Sequence, residues 1–514
     1  MRFLIIQLLM FMGFFFLSVT HACEFRDLRF LIIQLGRKDL RLQMSGSENE
    51  RRSKRSNSCD GQEKISYLPE AVLCHILSRI SFKEAVRTSI LGTRWKDLWA
   101  AMPNLEFDFK SMYYPNGRRS DSKEKLNEYM NFVERGLILR DGLNIKKFVL
   151  SCFEVSDFPS IYAWICNVIT CNVQELDVRI SVHPYAQLPW SLLTCKTLVV
   201  LKLSGRFVLN VPTNIYLPSL TILHLRSLVY LDDISVRKLF SSCPILEELE
   251  VVRSDWDNVR CFIVKVPSLR RLSLCFDPVS SEFKDCTRHK IMVDTPNLEY
   301  LKLCDHVSEA FLFSNLPYLV EADLDVQLPH MSSVFHSIFV RRVIELLARI
   351  SSVKSLSLSS GTLRVLGFFL GDDLPTFDNL VHLKLGIDRT QDWYWLPNLL
   401  VSSPKLEVLH FEEGLLDVKN PDDYDRHFRS MPSEVPECLL MCLKSIEICK
   451  FVGKADEVKL IKYFLKNATV LVNMTIRCHC LNVVWNIREK LLVIQDELCK
   501  SPRGSSACQI KFIV

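Results

Sequence analysis

The residues of this chain best equipped for chemistry are its thiols and imidazoles. Cys438, Cys442, Cys449, Cys478, His479 and Cys480 crowd toward the C-terminus, and cysteine with histidine is the usual ligand set of zinc. A structural zinc site wants two separated Cys-x-x-Cys or equivalent pairs. That spacing is missing, and two of these cysteines fall at strand positions, so neither a metal nor a cofactor is expected. The cysteines number 19, an odd count, and many occupy apolar settings, such as Cys74, Cys152, Cys166 and Cys304. Scattered thiols of this kind fit a reducing compartment and buried, reduced side chains rather than a disulfide framework. No phosphate loop, GxGxxG, Gly-x-Ser-x-Gly elbow, HExxH or other catalytic constellation is present. The chain reads as a non-enzyme whose chemistry is binding.

The 514 residues, 48 % of them apolar, suffice for a sizeable core and for two to four domains. The net charge of +5 is too mild to argue for a nucleic-acid partner. Three short helices are predicted between Ser66 and Trp99. Pro69 suits a first helical turn, where its missing N–H would be unpaired anyway, and Leu68, Val72, Leu73, Ile76 and Leu77 recur at helical spacing. Ser81 and Glu84 form a Ser-x-x-Glu capping box that opens a second helix, with Val86, Ile90 and Leu91 on its apolar face. Gly92-Thr93 breaks it, and Arg94–Trp99 reads as a third helix. Three such helices cannot bury all their apolar side chains against one another, so the surplus should meet a partner.

Leu68-Pro69, Val72, Ile76-Leu77, Glu84-Ala85-Val86-Arg87, Leu91, Arg94-Trp95 and Leu98-Trp99 resemble, in order and spacing, an F-box of the plant type. Pro103-Asn104-Leu105 and Phe107-Asp108 continue the likeness. Ile80-Ser81 stands where the family favours Leu-Pro, and Gly92-Thr93 where it favours Ser-Lys. The resemblance implies docking onto Skp1, and through it cullin, by Leu68, Pro69, Val72, Ile76, Leu77, Val86, Leu91 and Trp95.

Beyond a helical stretch near 122–140, with Leu126, Met130, Val133 and Leu137 on one face, apolar residues recur at i, i+3 and i+5. Triplets run from Ile145/Phe148/Leu150 through Leu201/Leu203, Leu249/Val251 and Leu301/Leu303 to Leu406/Leu409/Phe411. Their starts lie roughly 21 to 37 residues apart, which brackets the leucine-rich-repeat period. Many are announced by Pro-x-Leu, at Pro218, Pro244, Pro267, Pro296, Pro317 and Pro404. Proline cannot donate to a strand ladder and so belongs just before one. The fold class expected is α/β: a three-helix F-box, then an irregular leucine-rich-repeat solenoid with parallel strands on one face and helices such as 235–242 on the other. Ser241-Ser242-Cys243-Pro244-Ile245-Leu246-Glu247-Glu248-Leu249 resembles the repeat phrase of plant F-box proteins. The outward residues between the leucines would line a concave face that grips a target protein: Lys202, His224, Glu248, Glu250, Arg271, Tyr300, Lys302, Glu321, Asp323, His382, Lys384 and His410. Both charge signs mix there, which disfavours RNA.

Near the C-terminus, Leu443-Lys444-Ser445-Ile446, Phe451, Gly453, Tyr463-Phe464-Leu465-Lys466-Asn467-Ala468 and Leu471 through Met474-Thr475-Ile476 resemble the FBD domain that ends many plant F-box proteins. That implies a β-α-β unit capping the last open edge of the solenoid. The expected organisation is a leader and basic linker over 1–60, the F-box over 62–110, repeats over 120–435 and the FBD over 436–514.

The first residues pull the other way. Arg2 is followed by an apolar run from Phe3 to Val19 and by Thr20-His21-Ala22, as in a secretory signal or an anchor. Arg2–Leu8 and Arg29–Leu35 are identical copies, a mark of recent duplication or a wrongly joined exon. We expect 1–60 to lie outside the functional fold and the protein to reside in cytoplasm and/or nucleus. A membrane-tethered form or a true signal peptide is the alternative. The function expected is substrate recognition for an SCF (Skp1–cullin–F-box) ubiquitin ligase. The alternatives are a scaffold or receptor outside ubiquitination, and capture of a small anionic cofactor in the concave face.

Overall fold

The computed structural model describes residues 68–513 apart from 115–122, 141–143, 156, 183–184, 213, 254–257, 277–288, 307, 328–335, 368–373, 387–394, 413–433 and 479–484. The leader, the basic linker, His479 and Cys480 lie outside the described residues. Two compact units divide the chain at 180/181.

In the first unit, helices α1 (Glu70–Leu77) and α2 (Phe82–Arg87) form where the spacing places them. The Ser81 side chain accepts the Glu84 backbone N–H, as an N-cap should. The expected third helix is instead two 3-10 turns, Thr93–Trp95 and Leu98–Ala101. Gly92 enters them at φ 155°, outside the range that L side chains readily adopt, and so few residues remain that regular α hydrogen bonding cannot propagate. The end of the F-box motif is a strand, β1 (Asn104–Asp108), paired in parallel with β2 (Lys147–Val155). Strand β3 (Glu175–Val182) follows on β2. Helices α3 (Phe109–Tyr113), α4 (Lys123–Ile138) and α5 (Phe158–Thr170) complete the unit.

Helix α4 buries Tyr129, Val133, Gly136 and Leu137, whereas Leu126 and Met130, expected on one face with Val133 and Leu137, are half-buried. Gly136 is needed there because a Cβ would sit 3.1 Å from the rings of both Phe107 and Phe82. The Tyr129 hydroxyl shares its proton between the carbonyls of Phe107 and Ser151, at 2.9 and 3.2 Å.

The second unit begins with the short β4 (Ala186–Gln187), β5 (Val200–Ser204) and β6 (Phe207–Leu209). After these come β7 (Ile222–Tyr230), helix α6 (Asp233–Ser241), β8 (Glu248–Arg253), β9 (Cys261–Val264), β10 (Arg271–Phe276), β11 (Lys290–Val293), β12 (Tyr300–Asp305), β13 (Ala310–Phe313) and β14 (Glu321–Val326). Next are α7 (His336–Arg349), β15 (Ser355–Leu358), α8 (Ser360–Gly367), β16 (His382–Leu385), α9 (Trp395–Val401) and β17 (Val408–Phe411). The C-terminal segment supplies α10 (Glu437–Met441), β18 (Ser445–Phe451), α11 (Ala455–Asn467), β19 (Asn473–Cys478), α12 (Trp485–Lys500) and β20 (Gln509–Ile513).

From β5 on, the triplet strands pair in parallel in chain order. One register aligns Leu201, Leu223, Leu249, Leu272, Leu301, Ala322, Leu356, Leu383 and Leu409. All of these side chains are sealed from water, each contributing about 2 kcal/mol of apolar burial for a leucine.

One feature departs from the expected layout. Between β8 and β14 the second layer is β9, β11 and β13, a parallel three-stranded sheet, rather than helices. Cys-Phe-Ile-Val, Lys-Ile-Met-Val and Ala-Phe-Leu-Phe are short, branched and aromatic, which suits a strand and is too brief for a helix. The C-terminal segment closes the open edge at β17 by pairing with it. Its strands β18, β19 and β20 are spliced into the ladder, carrying the register from Phe411 to Ile448, Ile476 and Phe512. Helix α12 and strand β20 add to the β-α-β unit expected there.

Candidate functional site

Two surfaces are candidates, one in each unit. In the first, Phe82 is the hub. Its ring meets Trp99 and Phe107 edge-on at centroid distances of 5.7 and 5.1 Å, and Phe132 lies tilted at 5.9 Å. Leu73, Leu77, Ala85, Trp95, Leu98 and Trp99 are buried with it. Polar ties hold the short helices in place. Arg94 Nη2 donates to the Leu68 carbonyl at 2.6 Å, Trp99 Nε1 to the Lys96 carbonyl at 2.9 Å, and Lys83 Nζ to the Met112 carbonyl at 2.9 Å. Burial lowers the Lys83 pKa, and Arg87 nearby adds to the effect. The buried Arg140 guanidinium donates to the carbonyls of Met102 and Asn144, pinning the chain as it enters β1.

Of the residues implied as adaptor contacts, Leu77 and Trp95 are closed inside this unit. Pro69 is exposed, and Leu68, Ile76, Val86 and Leu91 are half-buried. Val72 stands 41 % exposed and Ile90 65 %. Ile90 was legible as an apolar-face residue from its spacing, yet the F-box resemblance did not single it out.

In the second unit, the outward positions of the triplet strands form rows across the sheet. The middle row reads Lys202, His224, Glu250, Ser273, Lys302, Asp323, Ser357, Lys384, His410, Glu447 and Thr475. The row before it reads Glu248, Arg271, Tyr300, Glu321, Ser355 and His382. The residues expected on this face therefore do share it.

Two ionic clusters organise the face. His224 Nε2 lies 2.7 Å from Glu248 Oε1, and its Nδ1 lies 3.8 Å from Glu250. Glu250 also takes Arg226 at 2.6 Å. Arg271 approaches Glu248 at 3.9 Å and stacks over the Tyr300 ring at 4.3 Å. Lys302 meets Asp323 at 3.4 Å, which raises the Lys302 pKa. Burial, with Asp323 adding to it, raises that of Tyr300. Further along, Lys384 pairs with Glu412 at 2.8 Å. His410 Nδ1 stands 3.7 Å from Glu447, which Arg477 grips at 2.6 Å. Lys202 sits beside His224 in the row, while Glu321 and His382 are exposed members of the row before.

Sequence reasoning missed Arg226, Glu412, Glu447 and Arg477. Their signal was present: Arg226, Glu447 and Arg477 occupy outward positions of triplet strands, and Glu412 directly follows one. Among the described residues, no group of three or more His, Cys, Asp or Glu side chains gathers to hold a metal ion, and no helix is long and apolar enough to cross a membrane.

Comparison with known proteins agrees with this layout. The F-box domain model matches residues 65–107, the model of the LRR repeats of FBD-associated F-box protein At5g56370 matches 161–312, and the FBD model matches 431–476. F-box/LRR-repeat protein At4g14096 of Arabidopsis thaliana is 33 % identical over 87 % of this chain and 94 % of its own length. F-box/LRR-repeat protein At3g59190 of the same plant is 35 % identical over 70 % of this chain and 95 % of its own. F-box/FBD/LRR-repeat protein At4g26340, also from Arabidopsis thaliana, is 33 % identical over 80 % and 91 %.

Proposed function

Because the chain belongs to the plant F-box/FBD/LRR-repeat family, we propose that it is the substrate-recognition adaptor of an SCF ubiquitin ligase. In this reading the first unit docks on Skp1, and through it on cullin, while the open sheet face of the second unit holds a target protein. The observation that carries the reading is the F-box itself: its helices close around Phe82 yet leave Val72 and Ile90 in water. Exposed apolar side chains on a rigid, well-packed element suit a protein interface. Pro69, Leu68, Ile76, Val86 and Leu91 are accessible enough to join them. Leu77 and Trp95 support the contact from within.

The mixed-sign clusters around Glu250 and Glu447 favour a protein target over nucleic acid. The chain needs no catalytic group of its own. Holding target and ligase on one polypeptide raises the effective concentration of a target lysine near the ubiquitin donor. The site of action is the cytoplasm and/or nucleus.

Changing Leu68 and Pro69 together to Ala tests the reading. Loss of Skp1 from the purified complex is expected, and undiminished Skp1 would overturn the proposal. The apolar run 3–19 favours a second reading, a membrane-tethered scaffold. A C-terminally tagged full-length protein that sediments with membranes and carries no Skp1 would establish that one instead.

A further inference from the structure

Cys275 and Cys304 face each other across adjacent parallel strands, β10 and β12, in direct register. Both alternate outward with Ser273 and Lys302, on the open face of the sheet, and both are half-buried. Their thiols share a hydrogen bond. Other thiols are spent differently: Cys243 donates to the Leu239 carbonyl and Cys438 to the Leu400 carbonyl, and both are fully buried. Neighbouring strands lie about 4.8 Å apart, inside the roughly 4.4–6.8 Å between Cα atoms that a disulfide spans. The backbone ladder thus holds two half-buried thiols side by side, within hydrogen-bonding reach of each other and on strands whose spacing a disulfide can span.

We propose that Cys275 and Cys304 are a redox-active dithiol that closes to a disulfide by exchange with a low-molecular-weight disulfide such as glutathione disulfide. One thiolate attacks a glutathione sulfur, forming a mixed disulfide and releasing the other glutathione as a thiolate. The second cysteine then attacks the protein-side sulfur of that mixed disulfide, and the remaining glutathione leaves. Two protein thiols are oxidised, one glutathione disulfide is reduced to two thiols, and the two protons end on the leaving groups. The second step is intramolecular and held in register, which favours the closed bond over the mixed disulfide. The first step is slow, because the shared hydrogen bond and burial keep the Cys304 thiol protonated. The pair stands one outward position beyond Lys302, so closure would brace the strands that carry Arg271 and Tyr300. The proposal does not depend on what that face binds.

The test equilibrates the purified full-length protein in glutathione buffers of increasing oxidation, then uses acid quenching, alkylation and mass spectrometry. A Cys275–Cys304 cross-link is expected at an oxidised fraction at least tenfold lower than the one that modifies any other cysteine. In C304S, Cys275 should stop at a persistent glutathione adduct. As a second measurement on the unaltered chain, phenylarsine oxide, which bridges neighbouring thiols, should protect both cysteines from alkylation at one equivalent. Separate glutathione adducts on the two residues of the wild-type chain, or full alkylation of both after either treatment, would overturn the proposal.

Discussion

In the F-box helices Val72 and Ile90 are 41 % and 65 % exposed, whereas the register-matched ladder side chains from Leu201 to Met474 are at most 1 % exposed. The contrast follows from element length. Helices of about two turns have too little surface to enclose their own apolar residues. A strand in a parallel ladder is enclosed by the strands beside it, so each added repeat seals the last. The two regions therefore offer different chemistry to partners. The F-box offers dehydratable apolar area. The sheet offers charges already satisfied by neighbours, such as Arg226 with Glu250 and Lys384 with Glu412. A ligand on the sheet must replace those partners, which gives selectivity more than affinity.

Four substitutions would break or sharpen this contrast. The largest effect is expected in the ladder. Leu301, fully buried between Leu272 and Ala322, should cost about 3 kcal/mol as Leu301→Ala, read from the urea midpoint. A loss below about 1 kcal/mol would mean that the ladder is not a continuous core.

Next is a buried carboxyl in α11. Glu457 is fully buried and caps the backbone N–H groups of Val452 and Lys454, and burial pushes its pKa up to about 7. Unfolded, it titrates near 4.5, the ordinary value for a glutamate. Between those values the folded chain holds a proton that the unfolded chain releases, so stability falls as pH rises from about 4.5 to 7. The fall attributable to this group is on the order of 3 kcal/mol. Glu457→Gln should remove that part of the slope in denaturation curves, and an unchanged slope would place the titration elsewhere.

Val72→Asp comes third. It should weaken Skp1 binding by about 2 kcal/mol in a calorimetric titration while leaving the unfolding midpoint unchanged. A destabilised F-box with intact binding would reverse the roles assigned to its surface and interior. Lys384→Ala should be smallest, within about 0.5 kcal/mol in stability, since its partner Glu412 is also exposed. A larger loss would show that the face charges hold the fold.

Legibility differed between these regions for physical reasons. The repeat strands were readable because burial on one face imposes period-two alternation, and Pro-x-Leu punctuates many of the starts. The F-box helices were readable through capping at Ser81 and apolar spacing. The outer layer was harder. Stretches such as Cys261–Val264 are too short for periodicity to separate strand from helix, and their state was set by pairing with β11 and β13. The pairing of Asn104–Asp108 with β2 was invisible because its partner lies far along the chain.

The amino-acid order alone determined the family resemblance, the leucine register and which residues point outward, since these depend on local spacing and alternation. Tertiary structure alone decided which F-box residues stay in water, that Leu77 and Trp95 do not, which charges pair across strands, and that Cys275 meets Cys304. Those outcomes depend on which distant segments come to lie side by side, and chain spacing carries no direct record of that.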